Sequence, residues 1–260
     1  MQIQEAITAI EEYAPLKLQA DYDNSGLICG DPTQELTSVL LCLDITETII
    51  EEAISQGHNL IISHHPLIFK GLKHITPTSQ VERCVIRALQ HHITIYAAHT
   101  NMDSVINGVN GRIADKLNLT QRKILNPIEN SIVYGYGIVG TLPTPENCMD
   151  FLHKVKDIFH CQTIRHTNPH QKQIQRIAVC GGSGAEFIQQ AIAEHADLYI
   201  SSDFKYHDFF TAENRITIAD IGHYESEQFT KEIFHEILTK KIPKFAVQIS
   251  SINTNPIKYL

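Results

Sequence analysis

The chain predicts an α/β protein of two lobes with mainly parallel sheets. Strand-like and helix-like segments alternate along nearly all of its 260 residues, the mark of βα units. Several strand segments are continuous apolar runs, as expected of strands covered on both faces. A hydrophobic content of 43% is enough for one large core or two modest ones.

The elements follow in order. Ile3, Ile7 and Ile10 mark an amphipathic first helix. The apolar run Ser38–Thr46 predicts a buried strand, followed by a helix over Glu47–Gln56, a strand over Asn59–Ile62 and a helix over Gln80–Gln90. A strand at Ile93–Ala98 and a helix near Val109–Leu117 come next. The second half predicts strands near Ile132–Gly140, Ile177–Cys180, Asp197–Ile200, Ile216–Ile221 and Phe245–Ser250. Helices at Glu146–Phe159, Ala185–Glu194 and Ser226–Lys240 separate them. The expected lobes are residues 1–125 and 126–260, with termini free to pack across. The polar stretch 118–130, containing Asn126-Pro127, is the expected first crossing, and HTNPHQKQIQ (166–175) reads as a second loop.

Composition narrows the function. No stretch approaches the roughly 18–20 apolar residues of a membrane span. The opening MQIQEAITAIEEY lacks the basic-then-apolar pattern of a signal sequence, so a cytoplasmic location is expected. The formal charge of −8 disfavours a nucleic-acid partner, which would call for a basic face. The six cysteines form no CxxC pair and read as reduced core residues. Without a GxSxG elbow or a cysteine in a catalytic setting, nucleophilic catalysis gives way to metal chemistry.

Histidine is the anomaly, at 15 residues in a chain without Trp. In open α/β sheets, ligands gather beyond the carboxyl ends of the strands. Five expected strand ends carry suitable side chains: Asp44; His64 and His65; His99 and Asp103; Asp203 and His207; His223 and Glu227. The pair His91-His92 closes an expected helix and reads as a cap or a solvated pair. His64-His65 instead comes after an apolar strand and precedes Pro66, which holds His65 extended. Consecutive side chains diverge at a strand end, so the two histidines suit neighbouring ions better than a single one. His223 and Glu227 are four apart and face the same way if a helix has begun there. Taken singly, Asp103 could be a turn residue and Glu227 a helix-capping charge. Three imidazoles and two carboxylates together match a dinuclear centre, with Zn, Fe, Mn, Co or Ni preferred to Ca. Asp203 and His207 are then outer or acid–base candidates. The Gly-rich run Cys180–Gly184 reads first as a tight strand-to-helix turn and second as an anion cradle.

The stretches DYDNSGLICGD (21–31), LLCLDIT (40–46), ISHHPLIFKGLK (62–73), YAAHTNMDS (96–104), CGGSG (180–184), YISSDFKYHD (199–208) and GHYESE (222–227) closely resemble the Nif-three-like family, whose bacterial members are known as GTP cyclohydrolase I type 2 homologues. Tyr22 stands where relatives often have Trp, and Ser201-Ser202 where many have Thr-Gly. The resemblance implies two α/β/α lobes with mixed, mainly parallel sheets, assembled as a toroidal homohexamer. It implies two divalent metal ions per chain on His64, His65, Asp103, His223 and Glu227, with Glu227 bridging. One ion would take His65 and Asp103, the other His64 and His223. The implied activity is metal-dependent opening of the purine ring of a GTP-like nucleotide, with His99 and His207 as candidates for proton transfer. The alternative is a non-enzymatic metal carrier or regulatory protein.

Overall fold

The computed structural model describes residues 1–129 and 131–260. Asn130, the last residue of the expected crossing, lies outside the described residues. In chain order the first elements are α1 (Ile3–Tyr13), β1 (Gly26–Cys29), β2 (Ser38–Cys42), α2 (Glu47–Gln56), β3 (Leu60–Ser63), α3 (Gln80–Gln90), β4 (Thr94–Ala97) and α4 (Thr100–Asp103). Then come α5 (Val109–Lys116), β5 (Thr120–Pro127), β6 (Gly135–Asn147), α6 (Cys148–Ile158), β7 (Arg165–His166), β8 (Gln173–Ser183) and α7 (Ile188–Ala193). The chain continues through β9 (Leu198–Ser202), β10 (Thr217–Asp220), α8 (His223–Glu227), α9 (Thr230–Lys241) and β11 (Ala246–Ile249).

These elements form two compact units. The first comprises Met1–Met102 with Thr230–Lys258, and the second Asp103–Phe229 with Tyr259–Leu260. The chain therefore crosses at Met102/Asp103, at Phe229/Thr230 and, for its last two residues, at Lys258/Tyr259, where the sequence predicts a boundary near residue 125 with the termini free to pack across. The stretch 118–130, expected as a crossing, instead supplies β5, an antiparallel neighbour of β6 at the end of the second sheet. The polar residues of β5 suit an edge strand, and within it only Ile124 and Leu125 are buried hydrophobics.

The sheet of the first unit has the order β1-β4-β3-β2-β11. Its strands run parallel except β1, which pairs antiparallel with β4. Leu40, Ile61 and Ile95 on one face meet Ile49, Ile50 and Ala53 of α2 and Val85 and Ala88 of α3. Thr46 caps α2 by accepting from the Ile49 amide, and Ser79 with Glu82 forms a capping box on α3. Helices α1 and α9 pack together, and α9 also lies against β2 and β11. The register aligns Cys42 with Ser63 and Ser63 with Ala97, so the carboxyl ends of β2, β3 and β4 stand side by side.

The second sheet has the order β5-β6-β8-β9-β10-β7, with β8, β9 and β10 parallel and the outer pairings antiparallel. Val139, Ala178, Tyr199 and Ile218 form its core with Phe187, Ile188 and Ala191. The helix expected over Ser226–Lys240 is two helices, α8 and α9, that belong to different units. The fold is thus mixed α/β with two mixed sheets, more antiparallel in the second than the apolar runs suggest.

Candidate metal centre

In the first unit, the ends of two neighbouring strands, β3 and β4, deliver three imidazoles. The amides of His64 and His65 donate to the carbonyls of Cys42 and Leu43, which fixes both residues beside the end of β2. Ser63 Oγ donates to the His65 carbonyl at 2.7 Å and holds the bend after β3. His64 is fully buried, and its Nδ1 lies 2.9 Å from the Ala98 carbonyl. His65 Nδ1 lies 2.7 Å from Asp44 Oδ1, and His99 Nδ1 lies 2.7 Å from Asp23 Oδ1. A carbonyl or an ionised carboxylate only accepts, so each Nδ1 carries the proton and donates it. Each Nε2 is then the nitrogen that presents a lone pair, the orientation found in metal-binding histidines.

Both supporting carboxylates are held ionised. Burial would raise Asp44, but the hydrogen bond and charge of His65, helped by Thr254, bring it below its ordinary value. Asp23 has a fully buried side chain. Burial would raise it too, yet hydrogen bonds from His99, Thr100 and Ser25 hold it far below the usual carboxylate range.

In the second unit, His223 opens α8 and Glu227 ends it, which gives the i, i+4 spacing on a helix that starts at the histidine itself. His223 Nδ1 lies 2.7 Å from Asp203 Oδ2, and Nε2 lies 3.0 Å from Glu227 Oε2. Asp203 comes directly after β9 with φ of 60°, a left-handed conformation that Asp tolerates better than most residues. Burial works against a charge on His223, but Glu227 and Asp203 outweigh it and push its pKa up to about 11. The proton between His223 Nε2 and Glu227 thus stands where a cation would bring that carboxylate the same compensation, while Nδ1 keeps its proton for Asp203. Asp103 and Glu227 place carboxylate oxygens within 4.8 Å of one another. Asn110 fixes the first of them, donating to the Asp103 carbonyl at 3.0 Å while accepting from the Gly181 amide at 2.9 Å.

The Gly-rich run serves this carboxylate pair. β8 extends through Gly181 and Gly182, and the Gly182 amide donates to Ser226 Oγ at 2.9 Å. Cys180 beside them stands in none of the donor clusters among the described residues, and burial, with Asp103 and Glu227 adding to it, pushes its thiol far upward. The donors in both units are imidazole nitrogens and carboxylate oxygens without a thiolate, a set that fits Zn, Mn, Fe, Co or Ni.

His64, His65, Asp103, His223 and Glu227 therefore all sit in donor clusters, as does His99. His207 does not. It lies exposed on the 3₁₀ segment Tyr206–Ala212, with its ring against Tyr206 and Phe210. His91 is the C-cap residue of α3 and both members of that pair are exposed. The sequence assigns Asp23 no role, since nothing in its spacing links it to a histidine 76 positions away.

The Duf34/NIF3 (NGG1p interacting factor 3) family matches residues 1–256. A protein of Clostridium acetobutylicum named GTP cyclohydrolase 1 type 2 homolog is 30% identical over 100% of this chain and 99% of its own length. One of the same name from Clostridium perfringens is 34% identical over 87% of each chain. Among solved structures, a Staphylococcus aureus hypothetical protein superposes with a TM-score of 0.91 at 28% identity, covering 100% of this chain and 99% of that one. A Bacillus cereus protein related to NIF3 reaches 0.92 at 22% identity and shares the fold. With a family match across nearly the whole length and relatives at this identity, the chain belongs to the Duf34/NIF3 family.

Proposed function

We propose that His64, His65, Asp103, His223 and Glu227 together hold two divalent metal ions, and that the protein is a metal-dependent hydrolase acting on a GTP-like nucleotide. The observation that carries this reading is the anchoring of His64, His65 and His223 through Nδ1, which turns each Nε2 toward ligation. Bound divalent cations would lower the pKa of water and brace the oxygens of a substrate.

The chain's own contribution is orientation. Asp44 holds His65 and Asp203 holds His223, while the Ala98 carbonyl fixes His64 in a fully buried position. Glu227 is buried on a helix of five residues whose other end is His223, so a cation taken by one is within reach of the other. The nucleotide substrate rests on the names of the relatives. A toroidal homohexamer is part of the same proposal, and light scattering on the purified protein tests it.

Two measurements decide the reading. Elemental analysis of protein purified without chelator should give close to two ions per chain, falling in His64→Ala, His65→Ala and His223→Ala variants that retain the wild-type circular dichroism spectrum. Metal-loaded protein incubated with GTP should release formate, with a known cyclohydrolase run in parallel. Absence of bound metal removes the centre, and absence of formate with metal bound removes the activity alone.

A further inference from the structure

Two large aromatic side chains of the first unit lie in the open near the histidines. Tyr22 is 67% exposed and Phe69 45%, although rings of this size contribute most to stability when buried. Their centroids are 6.5 Å apart with the planes at 54°, so the two do not stack face to face. Phe69 in turn meets His99 edge-on, at 6.2 Å and 77°. The His99 ring lies 5.2 Å from that of His64 and 5.3 Å from that of His65. One imidazole thus separates the aromatic pair from two of the proposed ligands. The backbone beneath both rings is tethered. Asp23, next to Tyr22, accepts from His99 Nδ1 at 2.7 Å and from the Thr100 amide at 3.1 Å. Asn24 Nδ2 donates at 2.5 Å to the carbonyl of Ile68, the residue before Phe69. Charge changes at the same place. Residues 53–81 contain no Asp or Glu in a chain of net charge −8. Within that stretch Lys70 and Lys73 are exposed and have no ion-pair partner among the described residues.

We propose that Tyr22 and Phe69 are the stacking surface for the base of a purine nucleotide, with Lys70 and Lys73 meeting its phosphates. A base presents a flat π-face, and an aromatic ring offered to it adds affinity whichever base it is. A site on tethered backbone loses little freedom when the ligand arrives, which leaves more of that gain as affinity. Lysine ammonium groups without a partner suit phosphate oxygens, since hydrogen bonds between ionised groups are the strong ones. All four residues belong to the first unit. The inference rests on the proposed reading for its choice of nucleotide, and deepens that reading by naming the residues that take the base and the phosphates. A base held on this pair stands one side chain away from the proposed ligands, with His99 between.

The absence of tryptophan from the chain supplies the test, because Tyr22→Trp in the full-length protein creates a single reporter at the site. Its emission should be quenched saturably by GTP and by guanosine, and not by inorganic tripolyphosphate. Adding Phe69→Leu should weaken both ligands about five- to hundredfold, the range for one lost base–aromatic stack. Adding Lys70→Gln and Lys73→Gln should weaken GTP and leave guanosine unchanged. Calorimetric titration of wild type, Tyr22→Ala and Phe69→Leu with GTP should give the same order of affinities without the reporter. Failure of wild type to bind GTP or guanosine overturns the site. So does unchanged affinity in Tyr22→Ala and Phe69→Leu, and a change of oligomeric state in those variants at unchanged affinity assigns the pair to a contact between copies instead. Formate release from GTP with the same KM in wild type and Phe69→Leu sinks this inference and leaves the proposed hydrolase standing. Binding of GTP that depends on Phe69, without formate release, supports the stacking surface and sinks the hydrolase.

Discussion

Gly182 lies so close to Glu227 that a Cβ built on the glycine would stand 2.2 Å from the Oε1 of the glutamate. Its φ of +63° is also one that L side chains rarely adopt. The backbone of β8 is thereby the wall against which a buried carboxylate is set, and the packing of that wall is coupled to the position of a proposed ligand.

Gly182→Ala should therefore lower metal content and melting temperature together, at about 1–3 kcal/mol for an overpacked site. Gly57→Ala is the matched control. Gly57 has φ of +74° at the end of α2, and a Cβ placed there would meet nothing within 4 Å, so only the backbone penalty of about 1–2 kcal/mol applies. Metal content should be unchanged in that variant, as read by elemental analysis beside calorimetry.

Asp203→Asn keeps the size of the side chain but removes the charge that holds His223 Nδ1. Loss of an outer partner of this kind typically weakens metal affinity by about 10–100-fold. Competition with a chromophoric chelator should show a drop in that range for Asp203→Asn and Asp44→Asn. The exposed His207→Gln should leave affinity unchanged, since His207 stands in no donor cluster among the described residues.

Glu194 accepts from Lys123 at 2.6 Å and from Arg176 at 3.0 Å, away from the metal-competent residues. The hydrogen bond from Lys123 outweighs a small burial effect and holds the Glu194 carboxyl below its ordinary value. A carboxylate with a depressed folded pKa stabilises above its unfolded value, and that contribution disappears as pH falls through the folded one. Glu194→Gln should melt below wild type at neutral pH, with the two curves converging as pH drops below about 4. The partial exposure of all three groups limits the difference to about 1 kcal/mol or less.

Five of the six cysteines are buried and none is paired in a disulfide. Burial pushes the more accessible Cys29 up to about 11, so its thiolate is scarce at neutral pH. A colorimetric thiol reagent should react slowly with the folded chain and titrate all six thiols in denaturant.

The strands that end in donors were legible because their signals are local. LIIS and IYAA are largely apolar runs, and the residues next in the chain stand beyond the carboxyl ends of those strands. His223 and Glu227 were legible as a pair through helical spacing, although the helix proved to be only five residues long. Asp23 was not, because its link to His99 exists only after β1 pairs with β4. The unit boundaries were hidden for a related reason. A crossing inside the four-residue α4 leaves no polar linker to read, whereas the polar 118–130 stretch contains the edge strand β5 (Thr120–Pro127), where polarity is ordinary.

β11 joins the first sheet beside β2, yet more than a hundred residues of the second unit are threaded before it. Thr254, just beyond that strand, donates to Asp44, the residue that steadies His65. During synthesis the middle of the chain can finish its own sheet first, while β2 waits with an open edge for residues 246–249. The cradle behind His65 is thus among the last parts of the protein to be completed, and a cation captured there early would have to be gripped by an unfinished scaffold.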